Sequence, residues 1–504
     1  MSILKGLHLI RSLHQPAEIT EIAENDVAAQ FMLTLDSSIT EVPIESSEAR
    51  RVLWKIDLIV LPLIAGTVIL SAVDKVIISN AAILGMKGDL DLIGDQYSWA
   101  GSIFYLGYLA FEWPTAILIQ RLPVAKLLSF LTFCWAVMLF CTAATQNFAG
   151  LAAARFIMGC TEAGTFPIAS ILTVMWYTNT EQPIRVAIWF NQFSSIFSGI
   201  VSYGIAQSHT SIAQWRLLFV VLGGFSVLWS LLLLVVLPDS PVTAWFLSKR
   251  EKYICVRRVQ ANNTGIEEKK VKWYQVKECM LDPKTWLLAI FACAQNVPNG
   301  GLVTFSAIIV SGLGYTPSVT TLLGMPTGVI GTIWQVLLAI PCSRYKNKRC
   351  ATIAFSNVVP MICAILMWKL PRDNKHGLLA AYYVFYTYWG PCVMCTSLHM
   401  ANVSGHTKKI TMNAVFFVAY CVGNIIGPQV FRASDAPDYS HGYIGLLACF
   451  VVASVSISLY GVLCRWDNAK QDKVAADAFL DQDPIPNGFS DKTDREKPEF
   501  RYIY

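Results

Sequence analysis

The chain has 504 residues, 54% of them apolar and only 14% charged, against about 25% charged in an ordinary soluble domain. That apolar excess is too large for one soluble core and points to lipid as the solvent. The net charge of +5 is small and gives no ground for nucleic-acid binding, and the 14 cysteines are scattered rather than spaced as a disulfide framework.

Residues 1–49 are polar and mixed, carry no apolar leader core, and read as a disordered cytosolic arm. Six apolar runs follow, at 56–73, 97–119, 127–145, 150–176, 186–207 and 217–237. Each is close to the roughly 20 residues that cross about 30 Å of hydrocarbon. A charged segment, 238–284, separates them from six more, at 285–311, 319–341, 350–369, 378–401, 410–431 and 442–464, and a polar tail at 466–504 reads as a second disordered arm. The expected domains are an N-terminal half at 50–237, a cytosolic loop at 238–284 and a C-terminal half at 285–465. Two near-equal six-helix halves joined by a charged loop resemble the major facilitator fold. The expected fold class is therefore an all-α membrane protein with about twelve transmembrane helices.

Lysine and arginine set the expected orientation. With both termini in the cytosol, the cytosolic segments hold Arg50, Arg51, Lys55, Arg121, Lys126, Arg185, Arg344, Lys346, Lys348, Arg349, Lys408, Lys409 and Arg465, and the opposite loops hold few. The sequons at Asn262 and Asn402 fall on the cytosolic side and are expected to stay unmodified.

A charge in the bilayer centre costs about 2.5–3.5 kcal/mol on insertion scales, so such residues usually face a cavity or a partner. Asp74 and Lys75 follow the run LPLIAGTVILSAV, either as interfacial residues or as a proton site beside an anion-binding cation. Arg155 and Glu162 share a helix face two turns apart. They are expected to act as substrate clamp and proton relay, or else as a structural ion pair. Glu112 is a further intramembrane carboxylate, beside Pro114. The seventh run carries Gln295, Asn296 and Asn299 around Pro298, Gly300 and Gly301, an interruption of the kind that lines a cavity or a joint. Asn191 and Gln192, then Asn413 and Asn424, add polar groups, and Tyr386, Tyr388 and Trp389 either line the pocket or pack as core. The expected substrate-binding set is Arg155, Lys75, Asn191, Gln295, Asn296, Asn299 and Asn413, with Glu162 and Asp74 as proton carriers. The pair Cys392 and Cys395 lies in an apolar run and reads as structural. No phosphate-binding loop, triad or dinucleotide fingerprint is present, so an enzyme, a cofactor, a metal site or ATP-driven transport is not expected.

Four stretches resemble the fungal allantoate permease branch of the anion:cation symporters, within the major facilitator superfamily: KIDLIVLPLIAGTVILSAVDK, RFIMGCTEAGTFP, LPDSPVTAWFLSKREK and HTKKITMNAVFFVAYCVGNIIGPQVFRASDAPDYSHGY. The resemblance spans about residues 50–465. It implies uptake of small organic anions such as ureido-acids, vitamin acids or carboxylates, coupled to protons, by a monomer in the plasma membrane. It also places the family's first-helix acid–base pair on Asp74 and Lys75, and its fourth-helix pair on Arg155 and Glu162. The chain departs from the family at Lys75, where arginine is usual, and at Ile77 and Ser79, which stand in for asparagine and glycine in a stretch similar to DRSNIGNA. The loop IQRLPVAKLL also lacks the acid of the facilitator signature. The remaining alternatives are an exporter of an acidic metabolite and a nutrient sensor that binds without transporting.

Overall fold

The computed structural model describes residue 31 and residues 42–178, 180–189, 193–260, 272–345, 347–478, 493–497 and 500–504. These contain helices and turns and no strand. Nine helices among the described residues are long and apolar enough to cross a membrane. That is the form hydrocarbon demands, because a helix satisfies every backbone group within the segment.

The N-terminal half opens with α1 (Ser46–Ala81), which continues through a wide turn at Ala82–Met86 to Asp89. Next come α2 (Gln96–Arg121) and α3 (Val124–Ala143). The fourth span is α4 (Phe148–Glu162) followed by α5 (Thr165–Trp176), and Asn147 caps it by accepting from the Gly150 N–H. The fifth is α6 (Gln182–Trp189) and α7 (Ser194–Ala206), and the sixth is α8 (Gln214–Val236). The central segment is not plain loop. It holds α9 (Lys249–Gln260) and α10 (Trp273–Leu281).

The C-terminal half has α11 (Pro283–Ser311), α12 (Pro317–Leu323) with α13 (Pro326–Arg344), and α14 (Arg349–Ser356) with α15 (Val358–Lys369). It continues with α16 (Lys375–Phe385), a tight turn at Tyr386–Tyr388 and α17 (Trp389–Asn402), then α18 (His406–Val430) and α19 (Ser440–Ala478). The three predicted spans outside the nine are helical too. Two are interrupted, α6/α7 and α16/α17, and the third, α11, carries the polar residues Gln295, Asn296 and Asn299.

Missing side chains fix the closest helix contacts. A Cβ on Gly107 of α2 would sit 2.0 Å from the Phe156 carbonyl of α4, and one on Gly159 of α4 would sit 2.0 Å from the Phe104 carbonyl. Small residues let membrane helices approach at backbone distance, and here they press α4 onto α2. In the other half, Gly423 of α18 meets the Cys293 carbonyl of α11 in the same way.

We call the end where α1 starts and α19 finishes the near end. The halves touch toward the far end. The Ala307 N–H donates to Ser79 Oγ at 2.8 Å, and Ser98 donates to the Phe431 carbonyl at 3.3 Å. Ser102 donates to the Ile425 carbonyl at 2.7 Å, and Tyr97 donates to the Thr304 carbonyl.

Near-end ion pairs hold α9 to the first half: Lys55–Glu251 at 2.7 Å, Arg250–Glu48 at 2.7 Å and Arg258–Glu181 at 2.6 Å. In the second half, Lys408 binds both Glu278 of α10 (2.8 Å) and Asp494 of the tail (2.7 Å). The tail, which reads as disordered from its composition, is packed on the bundle where it is described. Asn402 receives the Ile503 N–H at 2.7 Å and donates to the Ile503 carbonyl at 2.7 Å, and Asn468 brackets Tyr502 in the same two-way fashion at 2.8 Å. Specific side-chain partners on α17 and α19 supply the order that composition does not reveal.

Candidate functional site

Between the halves lies a cavity of about 150 Å³. Its lining includes Lys75 and Asn80 from α1, Tyr105 from α2, Phe166 from α5, and Asn299 and Ser306 from α11. Serines of α7, threonines of α12 and α13, and the aromatic residues Tyr386, Tyr388 and Trp389 also line it. The three aromatics sit at the break between α16 and α17, which turns them toward the cavity rather than into the core alone.

Lys75 is the cation on this wall. It is 8% exposed, and its Nζ lies 2.6 Å from Glu162 Oε1. Phe104, Tyr108 and Phe166 surround the ammonium with ring centroids 5.8, 5.5 and 5.1 Å away. Ring faces attract a cation without neutralising it, so the charge remains available to an anion. Glu162 is 0% exposed. It also accepts a hydrogen bond from Ser71 of α1, while its Oε2 has no hydrogen-bond partner among the described residues.

Asp74 and Lys75 are not at a helix end. Because α1 runs on past them, both are buried, Asp74 at 0% exposed. Arg155 stands behind the wall, 1% exposed. It donates to the backbone carbonyl of Asp74 at 3.3 Å, lies over the Phe104 ring at 5.9 Å, and is not part of the cavity lining. Among the described residues Arg155 and Glu162 form no ion pair with each other. Seven residues return a helix to the same face but also advance it about 10 Å. The two side chains therefore meet antiparallel α1 at different heights, Arg155 at Asp74 and Glu162 at Ser71 and Lys75. The four formal charges, two acidic and two basic, sum to zero.

Of the polar residues expected from α11, only Asn299 reaches the cavity. Its Nδ2 donates to Asn424 Oδ1 at 2.8 Å and its Oδ1 accepts from the Tyr388 hydroxyl at 2.9 Å. Gln295 is used by the bundle instead, donating to the Tyr388 carbonyl at 2.7 Å and to Asn357 at 3.2 Å. Asn296 donates to the Ala292 carbonyl at 2.7 Å. Asn413 is exposed and pairs with His399 at 2.7 Å, away from the cavity lining. Asn191 and Gln192 lie outside the described residues. Glu112 is half-buried and does not line the cavity. Cys392 and Cys395 are buried and unbridged. No cluster of three or more His, Cys, Asp or Glu fit to hold a metal occurs among the described residues.

Sequence reasoning passed over Ser71, Tyr105, Phe166 and the serines of α7. The periodicity was available for two of these groups. Thr67, Ser71 and Lys75 form a polar stripe at four-residue spacing in an apolar helix, and Ser194, Ser198 and Ser202 form another. Asn80 joins the second stripe to α1, donating to Ser198 at 3.1 Å and Ser202 at 2.9 Å.

The family model described as Major Facilitator Superfamily matches residues 63–428. An MFS-type transporter of Penicillium expansum, cnsL, is 36% identical over 95% of this chain and 92% of its own length. The allantoate permease of Saccharomyces cerevisiae is 33% identical over 93% of this chain and 89% of its own. Among solved structures, a bacterial homolog of the human lysosomal transporter Spinster, in an inward-facing and occupied conformation, superposes with a TM-score of 0.60. It covers 81% of this chain and 96% of that one at 14% identity, which is a likeness of fold. The chain is thus a multi-pass integral membrane protein and not an enzyme: it belongs to the Major Facilitator Superfamily, within the group of fungal carriers that includes allantoate permease.

Proposed function

We propose that this chain takes up a small organic anion with protons, by alternating access of its two halves around the central cavity. The observation that carries this reading is the buried ion pair in which Lys75, on the cavity wall, is held from behind by Glu162, which does not itself line the cavity. An entering carboxylate meets Lys75, the one cation among the described lining residues, and that cation is already held by a group that can be discharged by a proton. Anion arrival on Lys75 therefore releases Glu162 to accept a proton, and departure of both restores the pair. An opposite charge favours the ionised carboxylate, and its loss in a dry site favours the neutral form. Because the four charges sum to zero, one monoanion plus one proton leaves the sum unchanged. Arg155 and Asp74 act behind this pair, Arg155 by adding positive potential and Asp74 as a second proton site. Asn299, with Tyr388, supplies neutral hydrogen bonds to the rest of the substrate.

The near end, with both termini, faces the cytosol in this reading, and the carrier works as a monomer in the plasma membrane. Lysine and arginine crowd that end, and contacts between halves gather at the other, leaving the cavity closed outward. Labelled allantoate, the named substrate of a relative, and a panel of other carboxylates are the first probes. Uptake into cells expressing the chain should be abolished by a protonophore. Glu162→Gln, which fixes the neutral form, should still exchange substrate in counterflow but fail to concentrate it down a pH gradient. Accumulation by Glu162→Gln that still follows pH would remove Glu162 from the coupling role.

A further inference from the structure

Ser71 lies one turn before Lys75 on α1 and is 0% exposed. Its hydroxyl touches both members of the ion pair, donating to Glu162 Oε1 and accepting from Lys75 Nζ at 3.2 Å. One hydroxyl proton and two lone pairs permit both bonds at once. Glu162 Oε2 has no hydrogen-bond partner among the described residues. The carboxylate is therefore held through a single oxygen, by one charged donor and one neutral donor, both from the same face of α1.

We propose that Ser71 is a positioning residue for the coupling carboxylate: it aims Glu162 at Lys75 and sets how readily Glu162 gives up the lysine for a proton. The proposal rests on the coupling role of Glu162 given above. When an anion takes Lys75, the Ser71 hydroxyl is the donor that stays. It keeps the freed carboxylate from being bare in a dry site, and it resists protonation because a hydrogen bond to the charged form favours that form. Without the hydroxyl, the freed Glu162 is left bare in a dry site and loses its fixed approach to the lysine. The other ionisable groups facing Glu162 are Lys75 and Asp74 from α1, Arg155 from α4, and Tyr105 and Tyr108 from α2. Ser71→Ala leaves all of these in place and substitutes a residue that favours helix.

The test is the pH profile of uptake in cells expressing the full chain, normalised to protein at the membrane. In Ser71→Ala the pH of half-maximal uptake should move upward by about one unit or more, the scale expected for a lost hydrogen bond to a charged group. A profile with the same midpoint as the parent, whatever the absolute rate, overturns the proposal and leaves Ser71 a packing residue. A second measurement separates this from the reading beneath it. In the Glu162→Gln background, counterflow exchange should not change its pH dependence when Ser71→Ala is added, since the titrating group is gone. If Glu162→Gln alone still accumulates substrate with pH, the coupling role of Glu162 fails, independently of the Ser71→Ala midpoint.

Discussion

Lys75→Met keeps the length and packing of the side chain and removes its charge, which tests the anion site directly. Two unit charges 2.6 Å apart attract by about 6 kcal/mol at an effective dielectric of about 20. Desolvation offsets much of this, and removing one partner of a buried pair costs about 3–5 kcal/mol in practice. Glu162 has a way to limit the damage, since it can be neutralised. Protonating a carboxylate of ordinary affinity at pH 7 costs about 3.7 kcal/mol, so the loss of folding stability is capped near that figure. A carboxylate substrate must bind as an anion without its cation or give up its charge at a similar cost, and either way it loses at least about 3 kcal/mol, a factor of 100 or more in affinity. The expected result is a variant that reaches the membrane in reduced but measurable amount and shows at least a 100-fold rise in the half-saturation constant for counterflow. Adding Glu162→Gln should restore abundance, because the pair is then neutral on both sides, without restoring transport. The assay is concentration-dependent counterflow of labelled substrate alongside surface immunoblotting. If Lys75→Met keeps a half-saturation constant within about threefold of the parent, the anion does not bind at Lys75 and the cavity has been read wrongly.

Tyr388→Phe removes the hydroxyl that bonds Asn299 and should weaken apparent substrate affinity about five- to tenfold, as about 1 kcal/mol is lost, with the pH profile unmoved; uptake kinetics across pH check both. Gly159→Val should prevent accumulation of folded protein, since its Cβ would lie 2.0 Å from the Phe104 carbonyl, while Gly204→Ala, which meets open space, should be tolerated; fluorescence-detected gel filtration of solubilised membranes compares them. Burial raises the Asp494 carboxyl, but Lys408 outweighs this and holds it below the ordinary carboxylate value. Its contribution to tail docking is therefore complete above about pH 4 and lost as pH falls through the lower folded-state value. Asp494→Asn should release the tail at neutral pH, seen as faster trypsin cleavage after Arg501, and hydrogen exchange on the parent should show release only in acid.

The spans and their order were legible because lipid imposes a length and a composition that few other structures share. The residues of the charged site were legible for the related reason that a charge in hydrocarbon is conspicuous. Their pairing was not. Which residues of α1 meet Arg155 and Glu162 depends on the height at which α4 crosses α1, and that height is a tertiary fact. The apolar run before Asp74 ends at Val73, so a helix end was a fair inference there. The helix instead continues because α7 and α11 bury the polar residues that follow, Asn80 on Ser198 and Ser202, and Ser79 on Ala307. Gln295 and Asn296 carry the same chemistry as Asn299, but Gln295 is spent on the Tyr388 carbonyl and Asn296 on the Ala292 carbonyl of its own helix, which only the packed structure discloses.

Among the described residues no ion pair joins one half to the other, whereas the halves meet through serine and tyrosine hydroxyls, backbone groups and rings. The two kinds of fastener answer separation differently. A buried salt bridge pulled apart strands two charges unless a proton or another ion takes the lost partner's place. A hydroxyl drawn away from a carbonyl finds water at once, and so does the carbonyl, so the net loss is about 1 kcal/mol per bond. The molecule thus keeps its charged joints on one side of the seam or the other and closes the seam between its halves with bonds that solvent can substitute one for one. A carrier built this way can unzip at the far end on every cycle while neither half comes undone.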